Sequence, residues 1–112
     1  MDFPINEIKT KGMVDALFSL RNDARSKIFL IVLDAKEKKE EINMTAIHKR
    51  LKEYNIHQTL ISCAENIRRL QAVGVVRLSR KNRSPGRPTF VWPTEKAYRI
   101  KNLLYSIKET FT

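Results

Sequence analysis

The chain has 112 residues, 42% of them hydrophobic, and a formal net charge of +10. This length fits one domain with a moderate core, residues 1–112, and the hydrophobic share excludes wholesale disorder. No apolar run is long enough to cross a membrane. A lone cysteine, Cys63, excludes an internal disulfide and indicates a reducing compartment, and Met1–Pro4 lack the features of a signal peptide. We therefore expect a cytoplasmic protein.

The positive charge is concentrated in the second part of the chain. Met1–Asn43 contains eight basic and eight acidic residues, whereas Met44–Thr112 contains 14 basic and four acidic ones. Asn66–Thr94 contains seven basic residues and no acidic residue. A surface that is basic for solubility alone usually mixes both signs. The one-sided distribution therefore favours a face that binds a polyanion.

Helices are predicted for the first part of the chain. Phe3–Leu20 has a loosely helical apolar pattern, which Gly12 weakens in the middle. Asn22 or Asp23 is suited to cap a second helix. The apolar residues of this helix recur at helical spacing as far as Ala35, before a charged exit.

Two further helices are predicted between Thr45 and Gly74. The first has Thr45 as its N-cap and ends before Asn55, a residue type that tolerates the left-handed backbone conformation. The second begins at His57–Thr59 and ends at Gly74. Its inner face is predicted to carry Leu60, Cys63 or Ala64, Ile67 and Leu70. Two helices joined by so short a turn form a helix-turn-helix.

A β-hairpin is predicted after the second of these helices. Val75–Ser79 and Thr89–Trp92 are rich in β-branched and aromatic residues, and Arg80–Pro88 between them is basic and rich in turn formers. Ile42 could form a very short third strand. Thr94 is suited to cap a last helix. The apolar stripe of that helix consists of Ala97, Ile100, Leu103, Leu104, Ile107 and Phe111.

The order of these elements resembles the winged helix-turn-helix transcription regulators of bacteria and archaea. The similarity is to arsenic-repressor-type proteins and to small archaeal or archaeal-virus regulators. Asn22–Ile28, Ile67–Val76 and Gly86–Lys96 are similar to the second-helix entry, recognition-helix exit and wing return of that group. The resemblance implies an α+β, mainly α fold, in which 21–93 form the helix-turn-helix and wing and 94–112 a C-terminal dimerisation helix.

The resemblance and the charge pattern together imply a transcriptional regulator that binds double-stranded DNA sequence-specifically. The recognition helix should enter the major groove, and the wing should meet the backbone or the minor groove. The expected DNA contacts are Gln58, Thr59, Ser62, Glu65, Arg68, Arg69, Arg80, Lys81, Arg83 and Arg87. Arg68 and Arg69 suit phosphates better than bases. Gly86–Pro88 partly matches an AT-hook, so minor-groove insertion and plain phosphate contact both stay open for Arg87.

A homodimer is the expected assembly. The last helix has more apolar surface than so small a domain can cover, and such a stripe often pairs with its symmetry mate. The expected interface consists of Ile100, Leu103, Leu104, Ile107 and Phe111. The alternative is that this helix folds back onto its own domain.

Other function classes are less well supported. The sequence has no glycine-rich phosphate loop and no metal-ligand spacing, so we expect neither an enzyme nor a cofactor. Cys63, His48 and His57 do not form a cluster, which disfavours a zinc or arsenic sensor. Cys63 is better suited to the core. Two alternatives remain: a non-specific architectural DNA-binding protein, and a winged helix that mediates protein contacts.

Overall fold

A computed structural model describes residues 12–79 and 88–111, with side-chain detail as far as Tyr105. The helix α1 covers residues 12–19 of this part. The remaining elements are α2 (Asp23–Glu37), α3 (Met44–Glu53), α4 (Leu60–Ala72), β1 (Val76–Ser79), β2 (Phe90–Pro93) and α5 (Glu95–Phe111). The predicted fold class, mainly helical with a two-stranded hairpin, is confirmed.

Side-chain caps fix where three of the helices begin. Asn22, Asn43 and Thr59 each accept a hydrogen bond from the backbone amide three residues later, at 3.1, 2.8 and 3.0 Å. These bonds satisfy amides that the first helical turn leaves unpaired. The prediction of Thr45 as the cap of α3 was wrong. Asn43 is already extended and its short amide reaches the turn, so the helix begins two residues earlier than expected.

The turn between α3 and α4 depends on a left-handed residue. Asn55 has φ 60°, and Gly74 at the end of α4 has φ 79°. Both positions had been predicted from the tolerance of Asn and Gly for this conformation. The amide of Ile56 donates to the carbonyl of Leu51 at 3.0 Å, which closes the end of α3. The predicted helix-turn-helix is therefore formed.

The two strands pair antiparallel, with Val76 opposite Pro93. At Ile42 the described residues show no third strand. The chain there makes a single isolated bridge, between Asn43 and Phe90. Because α3 begins at the next residue, there is no room for a longer pairing.

The core lies where α2, α3, α4, the hairpin and α5 meet. Its largest fully buried side chains are Ile28, Val32, Ile47, Leu51, Cys63, Ile67, Leu70, Val75, Val91 and Ile100. On α4 the inner residue is Cys63 rather than Ala64. Leu60 was predicted on the same face but is 47% exposed. It lies in the first turn of α4, at the edge of the buried face.

The first turns of α5 are fastened to the rest of the domain. Lys96 Nζ donates to the carbonyl of Val73 at 2.9 Å, and Lys101 forms an ion pair with Glu37 of α2. The hydrogen bond to the Glu37 carboxylate raises the pKa of Lys101. Within the described part of the chain, no helix is long and apolar enough to span a membrane.

Candidate nucleic-acid interface

The residues that α4 exposes to solvent are determined by the residues that it buries in the core. Because Cys63, Ile67 and Leu70 are fully buried at three- and four-residue spacing, the opposite face is left to solvent. That face exposes Ile61, Glu65, Arg68 and Arg69. Three of the predicted DNA contacts, Glu65, Arg68 and Arg69, therefore share one accessible surface.

The predicted contacts at the start of α4 are linked to each other. Thr59 Oγ1 accepts from the Ser62 amide and donates to Ser62 Oγ at 3.1 Å. The Thr59 hydroxyl is thus engaged in capping, whereas the Ser62 hydroxyl contacts Thr59 and is partly exposed to solvent. Ser62 is the better placed of the two to donate to DNA.

The side chain of Gln58 is restrained by a hydrogen bond that the sequence did not predict. Asn66 Nδ2 donates to Gln58 Oε1 at 3.4 Å, and Arg25 Nη1 donates to Asn66 Oδ1 at 3.0 Å. Arg25 Nε donates in turn to the carbonyl of Ser19 at 2.7 Å. His48 Nε2 lies 2.6 Å from the backbone carbonyl of Gln58. This network holds Gln58 in one orientation and leaves its amide NH₂ as the group that can donate outward.

Positive charge continues from α4 onto α2. Burial lowers the pKa of Arg25, and the charge of Arg69 lowers it further. An anion beside these two guanidinium groups would relieve their mutual repulsion. The α2 flank of the recognition helix is therefore electrostatically suited to a phosphate.

The base of the wing also carries cations. Arg77 on β1 lies opposite Trp92 on β2, and its guanidinium carbon is 5.8 Å from the centre of the indole ring. Lys36 Nζ is 5.4 Å from the same ring. Trp92 is half-buried at the base of the hairpin, with both positive groups close to its ring. The predicted wing contacts Arg80, Lys81, Arg83 and Arg87 lie outside the described residues.

A groove connects α4 to the wing. It has a volume of about 280 Å³ and is lined by Met44, Arg68, Leu78, Ser79 and Thr89. Arg68 is the cationic side chain of this lining and lies on the exposed face of α4. A DNA backbone that followed the groove would meet Arg68 directly.

Apolar side chains are also exposed on α1 and α5. Val14 and Phe18 of α1 and Leu103, Leu104 and Tyr105 of α5 are each at least 39% exposed. Leu104 and Tyr105 also line a groove of about 440 Å³ against α2. Ile107 and Phe111 lie beyond the described side chains.

Ile100 lies inside the domain. It was predicted at the dimer interface, but it is fully buried in the domain core. The helical period that groups it with Leu103 and Leu104 does not distinguish a core face from the adjoining surface.

The potential metal ligands and the Cys63 thiol were also compared with the expectation from the sequence. Across residues 12–79 and 88–111, no three His, Cys, Asp or Glu side chains are grouped so that they could hold a metal ion. Burial raises the pKa of Cys63 to about 11, so its thiol is protonated at neutral pH. Cys63 is a core residue, as predicted.

Sequence reasoning missed two features of this surface. Ile61 is 74% exposed at the start of α4, although apolar residues are normally assigned to the core. The link from Arg25 to Gln58 joins α2 to the recognition helix across 33 positions of the chain. The Arg in Asn22–Ile28, part of the family resemblance, was the available indication.

Solved structures provide the external comparison. No family model and no curated protein sequence matches the chain. The homodimeric winged helix-turn-helix DNA-binding domain of Mb0332 from Mycobacterium bovis, described as a possible ArsR-family transcriptional regulator, superposes with a TM-score of 0.66. The identity is 15%, over 92% of this chain and 83% of that one. Reduced HlyU from Vibrio cholerae gives 0.65 at 17% identity, over 90% and 93%. The chain therefore has the winged helix-turn-helix fold.

Proposed function

We propose that the chain is a transcriptional regulator that binds double-stranded DNA as a homodimer. The observation that carries this proposal is the exposed face of α4, which presents Glu65, Arg68 and Arg69 beside the groove that leads to the wing. Arg68 and Arg69 belong to the acid-free stretch Asn66–Thr94. A protein with this function acts in the cytoplasm, where the DNA is.

We assign sequence reading to the first half of α4. Ser62 donates from its hydroxyl, Gln58 from its amide, and Glu65 accepts from a cytosine amino group. A carboxylate among arginines repels phosphates, so it is unfavourable on a surface that binds only the DNA backbone. Glu65 therefore favours a sequence-specific regulator over a non-specific architectural protein. Footprinting separates the two, because a defined protected site indicates the regulator and uniform protection the architectural protein.

We assign affinity to the phosphate contacts. Arg68 and Arg69 bind the backbone at α4, and the predicted wing residues Arg80, Lys81, Arg83 and Arg87 bind the backbone or the minor groove. Thr59 caps the start of α4, the helix that carries Arg68 and Arg69. The helix-to-wing groove and the pair of cations at Trp92 support this arrangement.

We infer that α5 forms the dimer contact. Leu103 and Leu104 are exposed, and the stripe continues in sequence to Ile107 and Phe111. Ile100 is buried in the core and anchors the first turns of α5 to the domain. The Mycobacterium bovis neighbour is described as homodimeric. A twofold dimer of this kind would bind an inverted repeat.

The test is duplex binding measured by fluorescence anisotropy across salt concentrations. With about six phosphate contacts for each domain, the logarithm of affinity should fall against the logarithm of salt with a slope near −5. The proposal is contradicted if the chain does not bind duplex DNA. It is also contradicted if binding is unchanged between about 50 and 200 mM salt.

A further inference from the structure

The side chain of Ile61 is unusual for a solvent-facing residue. It is 74% exposed, whereas the other exposed large apolar side chains of the described residues lie between 39% and 59%. Leu60 beside it is 47% exposed. Two adjacent branched aliphatic side chains therefore project from the first turn of α4.

Folding does not require Ile61. The core side of α4 is occupied by Cys63, Ile67 and Leu70, which are fully buried, and Ile61 lies on the opposite side of the helix. An exposed helix position favours polar or small residues, because an exposed branched side chain contributes no burial and restricts its own rotamers. The position is thus better explained by a contact made with a partner.

The surroundings of Ile61 are polar and basic. Glu65 follows it one turn later on the same face, and Arg68 and Arg69 follow two turns later. Ser62 is next to it and carries a partly exposed hydroxyl group. An apolar protein surface would leave these groups without partners, whereas the major groove offers acceptors, amino groups and phosphates to all of them. Charge complementarity therefore favours DNA as the partner.

One apolar group is displayed in the major groove, the C5-methyl of thymine. The N-terminal part of a recognition helix is the part that reaches the base edges. We propose that Ile61, with Leu60 at its side, contacts a thymine methyl group and makes the protein prefer T·A pairs at that position. This inference rests on the proposed function, because it requires α4 to lie in the major groove.

The experiment replaces thymine by uracil, which removes the methyl group and keeps the hydrogen-bonding pattern. Each thymine of a binding site selected from random duplexes is replaced in turn, and affinity is measured for the unmodified protein, for Ile61→Ala and for Leu30→Ala. Leu30 is an aliphatic residue of α2 with 46% exposure, and Leu30→Ala removes the same number of carbons. It is therefore the matched control.

At one or two thymines we expect uracil to weaken binding of the unmodified protein about fourfold, the value for one buried methyl group. Ile61→Ala should bind thymine and uracil equally there, and Leu30→Ala should keep the fourfold difference. Because Ile61 is exposed, Ile61→Ala should unfold at an unchanged temperature and keep the same salt dependence.

The inference is overturned if no thymine is sensitive to uracil, or if Ile61→Ala keeps the full sensitivity. Either result would leave DNA binding itself intact. Failure of the proposed function would be seen differently, as the absence of any selected site or of duplex binding.

Discussion

At the residue scale, burial separates the residues that hold the fold from those available for binding. Cys63 and Ile61 are two positions apart on α4, yet the first is fully buried and the second is 74% exposed. Hydrophobicity does not distinguish them, because both are apolar. Their angular position relative to Ile67 and Leu70 does, and that position decides which of the two is accessible to a partner.

Cys63 should be chemically inert in the folded protein. Burial raises its pKa from an ordinary 9.0 to about 11, so little nucleophilic thiolate is present at neutral pH. Iodoacetamide should label Cys63 only after denaturation, as measured by mass spectrometry. Rapid labelling of the native protein would contradict its assignment to the core.

The same shift predicts a loss of stability at high pH. Between pH 9.0 and about 11 the folded chain keeps a thiol proton that the unfolded chain releases. The unfolded state binds fewer protons in this window, so the Cys63 contribution falls as pH rises through it. The stability advantage of the native protein over Cys63→Ala, measured by denaturant unfolding, should therefore shrink in this pH window. Parallel pH profiles would contradict the prediction.

Arg68 should contribute affinity without sequence preference. Arg68→Ala should weaken binding to all duplexes by a similar factor and reduce the salt slope by about 1, because one phosphate contact is lost. Glu65→Gln is the matched comparison on the same face, and it should change the preferred sequence. If the two variants behaved alike in anisotropy titrations, the division between base and phosphate contacts would be wrong.

At the scale of elements, the caps determine where the helices begin. Asn43→Ala should lower the free energy of unfolding by about 1 kcal/mol, because the first turn of α3 loses its bond to the side chain. Thr45→Ala is the matched control and should change stability little, since Thr45 is exposed and does not cap. Equal losses of stability in both variants would indicate that Thr45 also caps α3.

The elements themselves were largely predictable from the sequence, because local signals fix them. Asn22, Asn55, Thr59 and Gly74 cap or end helices through their own side chains or backbone freedom. Asn43 was missed because Thr45, two residues on, is an equally good cap by residue type. The choice depends on a bridge to Phe90 that extends the chain at Asn43, and this contact is not local.

The candidate site was less predictable than the fold. Glu65, Arg68 and Arg69 followed from the helical period, which places them opposite the core. The hydrogen bonds that orient Gln58 could not be predicted in this way, because they require Arg25 of α2 to meet Asn66 of α4. Tertiary contacts of this kind leave no periodic pattern in the sequence.

At the scale of the whole molecule, α5 has one part in the core and one part exposed to solvent. Its first turns are fixed to the protomer through Ala97, Ile100 and the Lys101–Glu37 pair, whereas Leu103 and Leu104 are exposed. The helix thus has one part that belongs to the core and one that is available to a second copy.

Charge introduced on the exposed part of α5 should separate the protomers. Leu103→Glu combined with Leu104→Glu should give a monomer in sedimentation velocity, because carboxylates would be buried in the contact. Affinity for an inverted repeat should fall by about a hundredfold as the two domains no longer bind together. Ile61→Glu on α4 is the control and should remain dimeric, because Ile61 is exposed on the face of α4 that is assigned to DNA and not to the dimer contact. A dimer that persists in the double variant would place the interface elsewhere.

Sequence reading by α4 is tested by selection of bound sites from random duplex DNA, followed by footprinting. A dimer that reads bases should enrich an inverted repeat with two protected halves about 10 base pairs, or a multiple of that, apart. Glu65→Gln should enrich a different sequence. Enrichment of no sequence, with uniform protection along the duplex, would contradict the claim that α4 reads bases in the major groove.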